Sequence, residues 1–131
     1  MKKINSLAVI AIVLLLSCKK EPGEGGFASI EGKVYIKNYD AFFSILSSQY
    51  YQPGETVYII YGDQTEVGNT VKTSYDGSFK FNYLRKGKYK VYVIGEDSSA
   101  TNRSNPKIEM VEVTISGKKD KKNIGDLVIL K

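Results

Sequence analysis

Alternation of apolar and polar residues dominates the chain from about residue 27 and predicts β-strands. In the first such segment Ala28, Ile30, Val34 and Ile36 share one parity, while mostly polar side chains take the other. A period of two directs one set of side chains into a core and the other into solvent. We therefore expect this segment to be a strand with one buried face.

The same reasoning predicts six further strands. The second is apolar on both faces, which favours a central position in a sheet. In later strands Phe79, Phe81, Tyr89, Val91 and Val93 are expected to point inward. Seven short strands separated by turn residues are typical of an antiparallel β-sandwich. The six strands are predicted over residues 55–61, 69–74, 78–82, 88–94, 108–115 and 124–130.

The segment from Tyr39 to Tyr51 does not follow this alternation. Phe42, Phe43, Ile45 and Leu46 are compatible with a helical stripe, a strand or an apolar loop that caps one end of the sandwich. We favour an insertion whose apolar residues fill the core. If they are exposed instead, Phe42 and Phe43 are the best candidates for a partner surface.

The first 18 residues, MKKINSLAVIAIVLLLSC, indicate a targeting segment. Lys2 and Lys3 precede an uncharged apolar stretch of ten residues, Leu7 to Leu16. Crossing a bilayer needs roughly 20 residues, so this stretch fits the apolar region of a secretory signal better than a membrane span.

The end of that stretch, Leu15-Leu16-Ser17-Cys18, resembles the lipobox of bacterial lipoproteins. The resemblance implies cleavage between Ser17 and Cys18, an acylated Cys18, and a lipid anchor in the cell envelope, at the outer membrane. An ordinary signal peptide with a chance cysteine is the alternative. The predicted organisation is a signal peptide over 1–17, a lipidated flexible tether over 18–26 and a β-sandwich over 27–131.

Composition supports the tether, because Gly, Pro and charged residues fill 19–26 and bury little apolar surface. Acidic residues soon after Cys18 resemble, in part, the signal that exports some Bacteroidetes lipoproteins to the cell surface. Lys20 stands where the acidic pair would begin, so the periplasmic and surface faces both stay open.

Three motifs resemble the carboxypeptidase regulatory-like, or transthyretin-like, β-sandwich family. They are Gly-x-Val at 32–34, Thr-x-x-Asp-Gly-x-Phe at 73–79 and Leu-x-x-Gly-x-Tyr-x-Val at 84–91. The resemblance implies the fold and a mostly non-catalytic structural or binding role. The long segment 38–54 departs from the family, and the related purine-pathway hydrolase depends on histidines that this chain lacks.

Composition narrows the chemistry further. The chain has one cysteine and no histidine, which excludes an internal disulfide and a histidine-dependent nucleophilic triad. Removing Lys2 and Lys3 lowers the net charge from +5 to +3. The lysine run at 118–122 is expected to be a solvated hairpin loop, so we predict no nucleic-acid partner.

Several side chains remain candidates for binding. Tyr35 and Tyr92 take outward parity and are compatible with a sugar-stacking or protein-docking surface. Asp76-Gly77 fits a turn better than a calcium loop. The polar loop that begins at Glu96 and Asp97 offers oxygen ligands through residue 102, although a plain solvated loop is the simpler interpretation.

These observations predict a membrane-anchored, non-catalytic structural or binding module that uses no cofactor or metal. The expected partners are the membrane, through the lipid, and envelope proteins or glycans. One alternative is a carbohydrate- or nutrient-binding accessory of an outer-membrane uptake system. A second is an enzyme of unknown type.

Overall fold

The computed structural model describes residues 21–98 and 105–131, and these residues form eight β-strands in two sheets. The all-β sandwich expected from the alternation is confirmed. The strand count is eight rather than seven, because the ambiguous segment contributes a strand of its own. The strands are β1 (Glu24–Tyr39), β2 (Leu46–Tyr51), β3 (Thr56–Tyr61), β4 (Asn69–Lys72), β5 (Ser78–Leu84), β6 (Gly87–Glu96), β7 (Pro106–Ile115) and β8 (Lys121–Leu130).

The first sheet is organised around β1, which at 16 residues is the longest described strand. β5 pairs with the first half of β1 and β2 with the second half, both antiparallel. β8 pairs with β1 over Ser29–Lys37 and runs parallel to it. The expectation of a wholly antiparallel sandwich is therefore wrong for this pair.

The second sheet has the order β4-β3-β6-β7, and each of its pairs is antiparallel. β3 lies between β4 and β6, as its apolar character on both faces predicted. Among the described strands β6 and β7 form the longest antiparallel pair, with register from Gly87↔Ile115 to Glu96↔Pro106.

The lysine-rich connection at 116–120 is not a hairpin loop. It carries the chain from β7 in the second sheet to β8 in the first, because β8 pairs with β1 and not with β7. The carboxylate of Asp120 holds the turn by accepting hydrogen bonds from the amides of Gly117 (2.8 Å) and Ser116 (3.3 Å). These bonds, chiefly the one from Gly117, lower the pKa of Asp120.

The core lies between the sheets and is built from the parity that the sequence predicted. Each fully buried aliphatic side chain contributes about 1.5–3 kcal/mol of stability relative to an exposed one. Val111 is only partly buried and packs at the margin. The buried hydrophobic residues are Ala28, Ile30, Val34, Ile36, Val57, Ile59, Phe79, Phe81, Leu84, Tyr89, Val91, Val93, Val113, Ile115, Leu127 and Ile129.

β1 begins at Glu24, three residues before the predicted start of the domain. Glu24 pairs with Leu84, and the carbonyl of Gly23 accepts a hydrogen bond of 2.9 Å from the amide of Arg85. Glycine permits this approach, since a Cβ at Gly26 would collide with the backbone of Leu84. The last residues of the predicted tether, 24–26, therefore belong to the sheet.

Candidate functional site

The β1–β2 loop, residues 40–45, is a turn fixed by one carboxylate. Asp40 accepts hydrogen bonds from the Ser44 amide (2.6 Å), the Ser44 hydroxyl (2.6 Å) and the Ile45 amide (3.1 Å). The Asp40 amide in turn donates to the carbonyl of Ile45 at 3.0 Å. The hydroxyl of Ser44 and the amide of Ile45 lower the pKa of Asp40. We call residues 40–45 the hairpin tip.

The hairpin tip exposes apolar side chains instead of burying them. Phe42 is 88% exposed and Ile45 is 65% exposed, and Leu46, the first residue of β2, is 42% exposed. The interpretation of these residues as core filling is therefore wrong. Phe43 has a φ of +52° and its ring lies 6.0 Å from that of Tyr39.

The exposure has a topological cause. β1 continues to Tyr39 after its pairing with β5 stops, and the loop that joins it to β2 lies beyond the last pair of β1 with β8, Lys37↔Leu130. All six residues of β2 are exposed. Within the described ranges β2 pairs with β1 alone, so the tip has no layer above it to cover Phe42 and Ile45.

The two tyrosines proposed as a binding surface lie on different sheets. Tyr35 is in β1, where its ring meets that of Tyr51 edge to face, with centroids 5.1 Å apart. Tyr92 is in β6, where it stacks on the cross-strand Tyr58 with centroids 4.8 Å apart and planes within 10°. The structure therefore does not bring Tyr35 and Tyr92 into one platform.

Neighbouring side chains contact the rings of Tyr51 and Tyr92. Tyr58 and Tyr92 cover each other, and the ammonium of Lys33 lies 4.8 Å from the ring centre of Tyr51. Such contacts stabilise the rings where they are. Tyr58 covers one face of Tyr92, and Tyr35 lies in the other sheet, so a sugar-stacking surface shared by Tyr35 and Tyr92 gains no support from this geometry.

A polar cleft of about 680 Å³ opens beside Tyr51. Glu31, Lys33, Asn123 and Asp126 contribute side chains to its lining. The hydroxyl of Tyr51 donates a hydrogen bond of 2.9 Å to Asp126, which raises the pKa of Tyr51. The cleft could therefore present carboxylate, amide and ammonium groups to a polar ligand.

The remaining sequence candidates do not form a site within the described residues. Asp76 accepts hydrogen bonds from the amide (3.0 Å) and hydroxyl (2.6 Å) of Ser78, which fits the predicted turn. Glu96 ends β6, and the polar loop after Ser98 lies outside the described residues, as do Ser17 and Cys18. Across 21–98 and 105–131 no three metal-binding side chains cluster, and no helix there is long and apolar enough to cross a membrane.

Sequence reasoning missed Asp40 and Tyr51, the residues that organise the tip and the cleft. A usable signal existed for Asp40, since Asp followed four residues later by Ser is compatible with a side-chain-capped turn. No comparable signal marked Tyr51. Its partner Asp126 is 75 positions away and meets it only because β2 and β8 flank the same stretch of β1.

Comparison with known proteins adds little to this description. No protein-family model and no curated protein matches the chain. Among solved structures, a "putative carbohydrate binding protein" from Pseudomonas aeruginosa is similar at 14% identity, over 88% of this chain and 94% of its own. The TM-score is 0.45, and a likeness this low supports no inference about the present chain.

Proposed function

We propose that this chain is a lipid-anchored lipoprotein of the cell envelope whose β-sandwich binds a partner protein through the hairpin tip. The observation that carries the proposal is the exposure of Phe42 and Ile45 on a loop fixed by Asp40. Apolar side chains held in solvent on a defined loop are typical of an interaction site. At protein interfaces a few anchor residues that become buried contribute most of the binding energy.

The order built into the tip strengthens this proposal. Three hydrogen bonds to one carboxylate fix the loop before any partner arrives. Ordering the loop therefore costs a partner that covers Phe42 little free energy, which favours affinity. Leu46 extends the apolar surface along the start of β2.

The position of the proposed anchor indicates how the hairpin tip lies relative to the membrane. The lipid on Cys18 would lie six residues before the start of β1, and the tip follows the end of β1. At about 3.3 Å per residue, the 16 residues of β1 span about 50 Å. The tip therefore lies at the end of β1 far from the proposed anchor, where it would meet a partner away from the anchoring membrane.

A non-catalytic role fits how three of the described carboxylates are used. Asp40, Asp76 and Asp120 each accept hydrogen bonds within their own turns, and these bonds lower the pKa of each carboxyl group. Their chemistry is thus structural. The resemblance to the carboxypeptidase regulatory-like family supports the same role, because most such domains bind and do not catalyse.

Mass spectrometry of the mature N-terminus tests the anchor. We expect a chain that begins at Cys18 and carries acyl groups, and a Cys18→Ser variant that no longer partitions with membranes. Each CH₂ group of an acyl chain contributes about 0.8 kcal/mol to membrane binding. Loss of all acyl chains should therefore abolish partitioning with membranes. An uncleaved, unmodified Cys18 would contradict the proposal.

A pull-down of the acylated protein from its own envelope tests the tip. The comparison is between the natural chain and a Phe42→Ser, Ile45→Ser double variant. Tyr75→Ser is the matched control, because Tyr75 is 90% exposed on a different turn. We expect a specific partner band with the natural chain and the control, reduced at least tenfold with the double variant. Equal recovery with all three would contradict partner binding through the tip.

Binding of a saccharide is the second candidate function, and the polar cleft beside Tyr51 favours it. Carboxylate and amide groups such as Glu31, Asn123 and Asp126 can hydrogen-bond sugar hydroxyls. A glycan array with the natural chain, Asp126→Ala and Tyr92→Ala separates the two roles. Binding lost with Asp126→Ala and kept with Tyr92→Ala would support a cleft ligand. No glycan binding would leave the hairpin tip as the functional surface.

A further inference from the structure

A basic and aromatic cluster lies at the end of the sandwich where the chain enters β1. Phe27, Arg85, Lys86 and Lys118 together line a hollow of about 300 Å³. Phe27 is 75% exposed, which is unusual for a phenylalanine within a strand. We call these four residues the basic end cluster.

Three separate elements supply this cluster. Phe27 lies near the start of β1, Arg85 and Lys86 form the β5–β6 connection, and Lys118 lies in the 116–120 connection. Pairing of Ala28 with Leu84 brings the first two elements together. The amide of Ser29 donates to the carbonyl of Asp120 at 2.8 Å, which holds the third element beside them.

The positive charges of the cluster are not neutralised within the described ranges. No ion pair there involves Arg85, Lys86 or Lys118. The guanidinium of Arg85 lies against Gly25, where a Cβ would be 2.6 Å from Nη2. Its Nε is buried without a hydrogen-bond partner among the described residues. The Arg85 side chain therefore packs against the backbone of Gly25, and no described acidic group pairs with its positive charge.

We propose that the basic end cluster docks the sandwich onto an anionic lipid surface, with Phe27 at the level of the headgroups. Cationic side chains attract lipid phosphates, and a neighbouring aromatic ring prefers the boundary between headgroups and acyl chains. The ligand is the phosphate-bearing face of the bilayer that holds the anchor. This inference rests on the proposed lipid at Cys18.

The length of the connecting chain makes the contact reachable. Glu21, the first described residue, is three positions after Cys18, and an extended chain of that length spans about 10 Å. The cluster lies at the same end of the domain as Glu24. Electrostatic attraction acts over about 8 Å at physiological ionic strength, a distance similar to the length of this connection. The tether thus confines the cluster to the neighbourhood of the headgroups, and docking would set the domain upright with the hairpin tip outward.

Single tryptophan substitutions can test the contact, because the chain has no tryptophan of its own. The acylated, full-length mature protein is reconstituted as Phe27→Trp or Phe42→Trp in vesicles of brominated phosphatidylglycerol or brominated phosphatidylcholine. We expect the fluorescence of the Phe27→Trp chain to be quenched at least twofold in the anionic vesicles and much less in the zwitterionic ones. The Phe42→Trp chain, which carries its indole at the tip, should show no quenching in either.

Charge reversal supplies the decisive comparison. Adding Arg85→Glu, Lys86→Glu and Lys118→Glu to the Phe27→Trp chain should abolish quenching in anionic vesicles while vesicle flotation stays complete. Flotation of the Phe27→Trp chain without quenching, or quenching that survives charge reversal, would overturn the docking proposal alone. A chain that fails to float would overturn the lipid anchor and this inference with it. The last comparison adds millimolar phosphate, or chloride of equal ionic strength, to the Phe27→Trp chain in anionic vesicles. A loss of quenching that is larger with phosphate than with chloride would indicate a free-phosphate site and would reject lipid docking.

Discussion

The hydroxyl of Tyr89 accepts a hydrogen bond of 2.9 Å from the amide of Gly23, 66 positions earlier in the chain. The same hydroxyl donates to the carbonyl of Arg85 at 2.6 Å. Tyr89 is 1% exposed, so water cannot easily replace these bonds. One buried phenol therefore ties the segment that leads into β1 to the β5–β6 connection.

Replacing Tyr89 by Phe should destabilise the domain. The change leaves the amide of Gly23 and the carbonyl of Arg85 without their partner, and an unsatisfied buried polar group costs about 1–3 kcal/mol. Urea denaturation followed by circular dichroism measures the loss in free energy of unfolding. Tyr92→Phe is the control, because the Tyr92 hydroxyl makes no hydrogen bond with the described residues. Equal stabilities of the two variants would contradict this role of Tyr89.

Buried tyrosines should also make the domain sensitive to alkaline pH. Burial is the main cause that raises the pKa of Tyr89 and of Tyr61. The folded state therefore favours the neutral phenol, whereas an unfolded tyrosine ionises near pH 10. The resulting stability is present below about pH 10 and is lost as the pH rises toward the raised pKa. Denaturation between about pH 8 and 12 should show this fall, with a shallower slope for Tyr61→Phe. If Tyr61→Phe leaves the slope of stability against pH unchanged, Tyr61 does not contribute to the alkaline sensitivity.

The alternation of side chains was sufficient to predict the core. Ile30, Val34, Phe79 and Val91 are buried where their parity placed them, because each strand of a sandwich turns only every second side chain toward the other sheet. The turn at Asp76 could also be predicted from the sequence, since its carboxylate accepts hydrogen bonds from a single residue two positions away, Ser78. Such features depend on local geometry, which a single sequence contains.

Features that depend on pairing between distant parts of the chain could not be predicted from the sequence. The parallel pairing of β8 with β1 turned a predicted lysine hairpin into a crossover between sheets. Phe42 was expected to be buried but is exposed. The local sequence does not indicate whether another layer of the fold covers an apolar loop. The basic end cluster needed Phe27, Arg85 and Lys118 to be brought together from three separate elements.

The turn before β5 should tolerate no side chain at Gly77. Its φ is +80°, and a Cβ there would lie 2.7 Å from Cβ of Tyr51 and 3.0 Å from the carbonyl oxygen of Val34. Gly77→Ala should therefore cost about 2–4 kcal/mol, from backbone strain and displacement of β2 together. Thermal or urea unfolding measures this loss.

Gly54 offers the matched control for that substitution. Its φ is +69°, but a Cβ there meets nothing within 4 Å. Gly54→Ala should therefore carry the strain of a left-handed backbone alone, about 1–2 kcal/mol. Similar losses at both positions would show that the contact between the turn and Tyr51 contributes nothing.

Acid should loosen the hairpin tip before it unfolds the domain. The hydroxyl of Ser44, followed by the amide of Ile45, lowers the pKa of Asp40. A lowered carboxyl pKa contributes stability that is present above the ordinary value of about 3.9 and lost as the pH falls through the folded value. Hydrogen exchange at the amides of Ser44 and Ile45 should therefore lose its protection below about pH 4.

Asp40→Asn should reproduce that loosening at neutral pH. The NH₂ group of the Asn side chain cannot accept the hydrogen bond that the Ser44 hydroxyl now donates to the second carboxylate oxygen at 2.6 Å. Loss of the negative charge also weakens the hydrogen bonds from the amides of Ser44 and Ile45 to the first oxygen. Exchange at Ser44 and Ile45 should accelerate while the buried amides of β6 keep their protection. Asp63→Asn is the control, since the Asp63 side chain makes no hydrogen bond with the described residues. Because a loosened tip must be ordered on binding, partner capture should weaken with Asp40→Asn and not with Asp63→Asn. Unchanged exchange at both amides would show that Asp40 does not fix the tip.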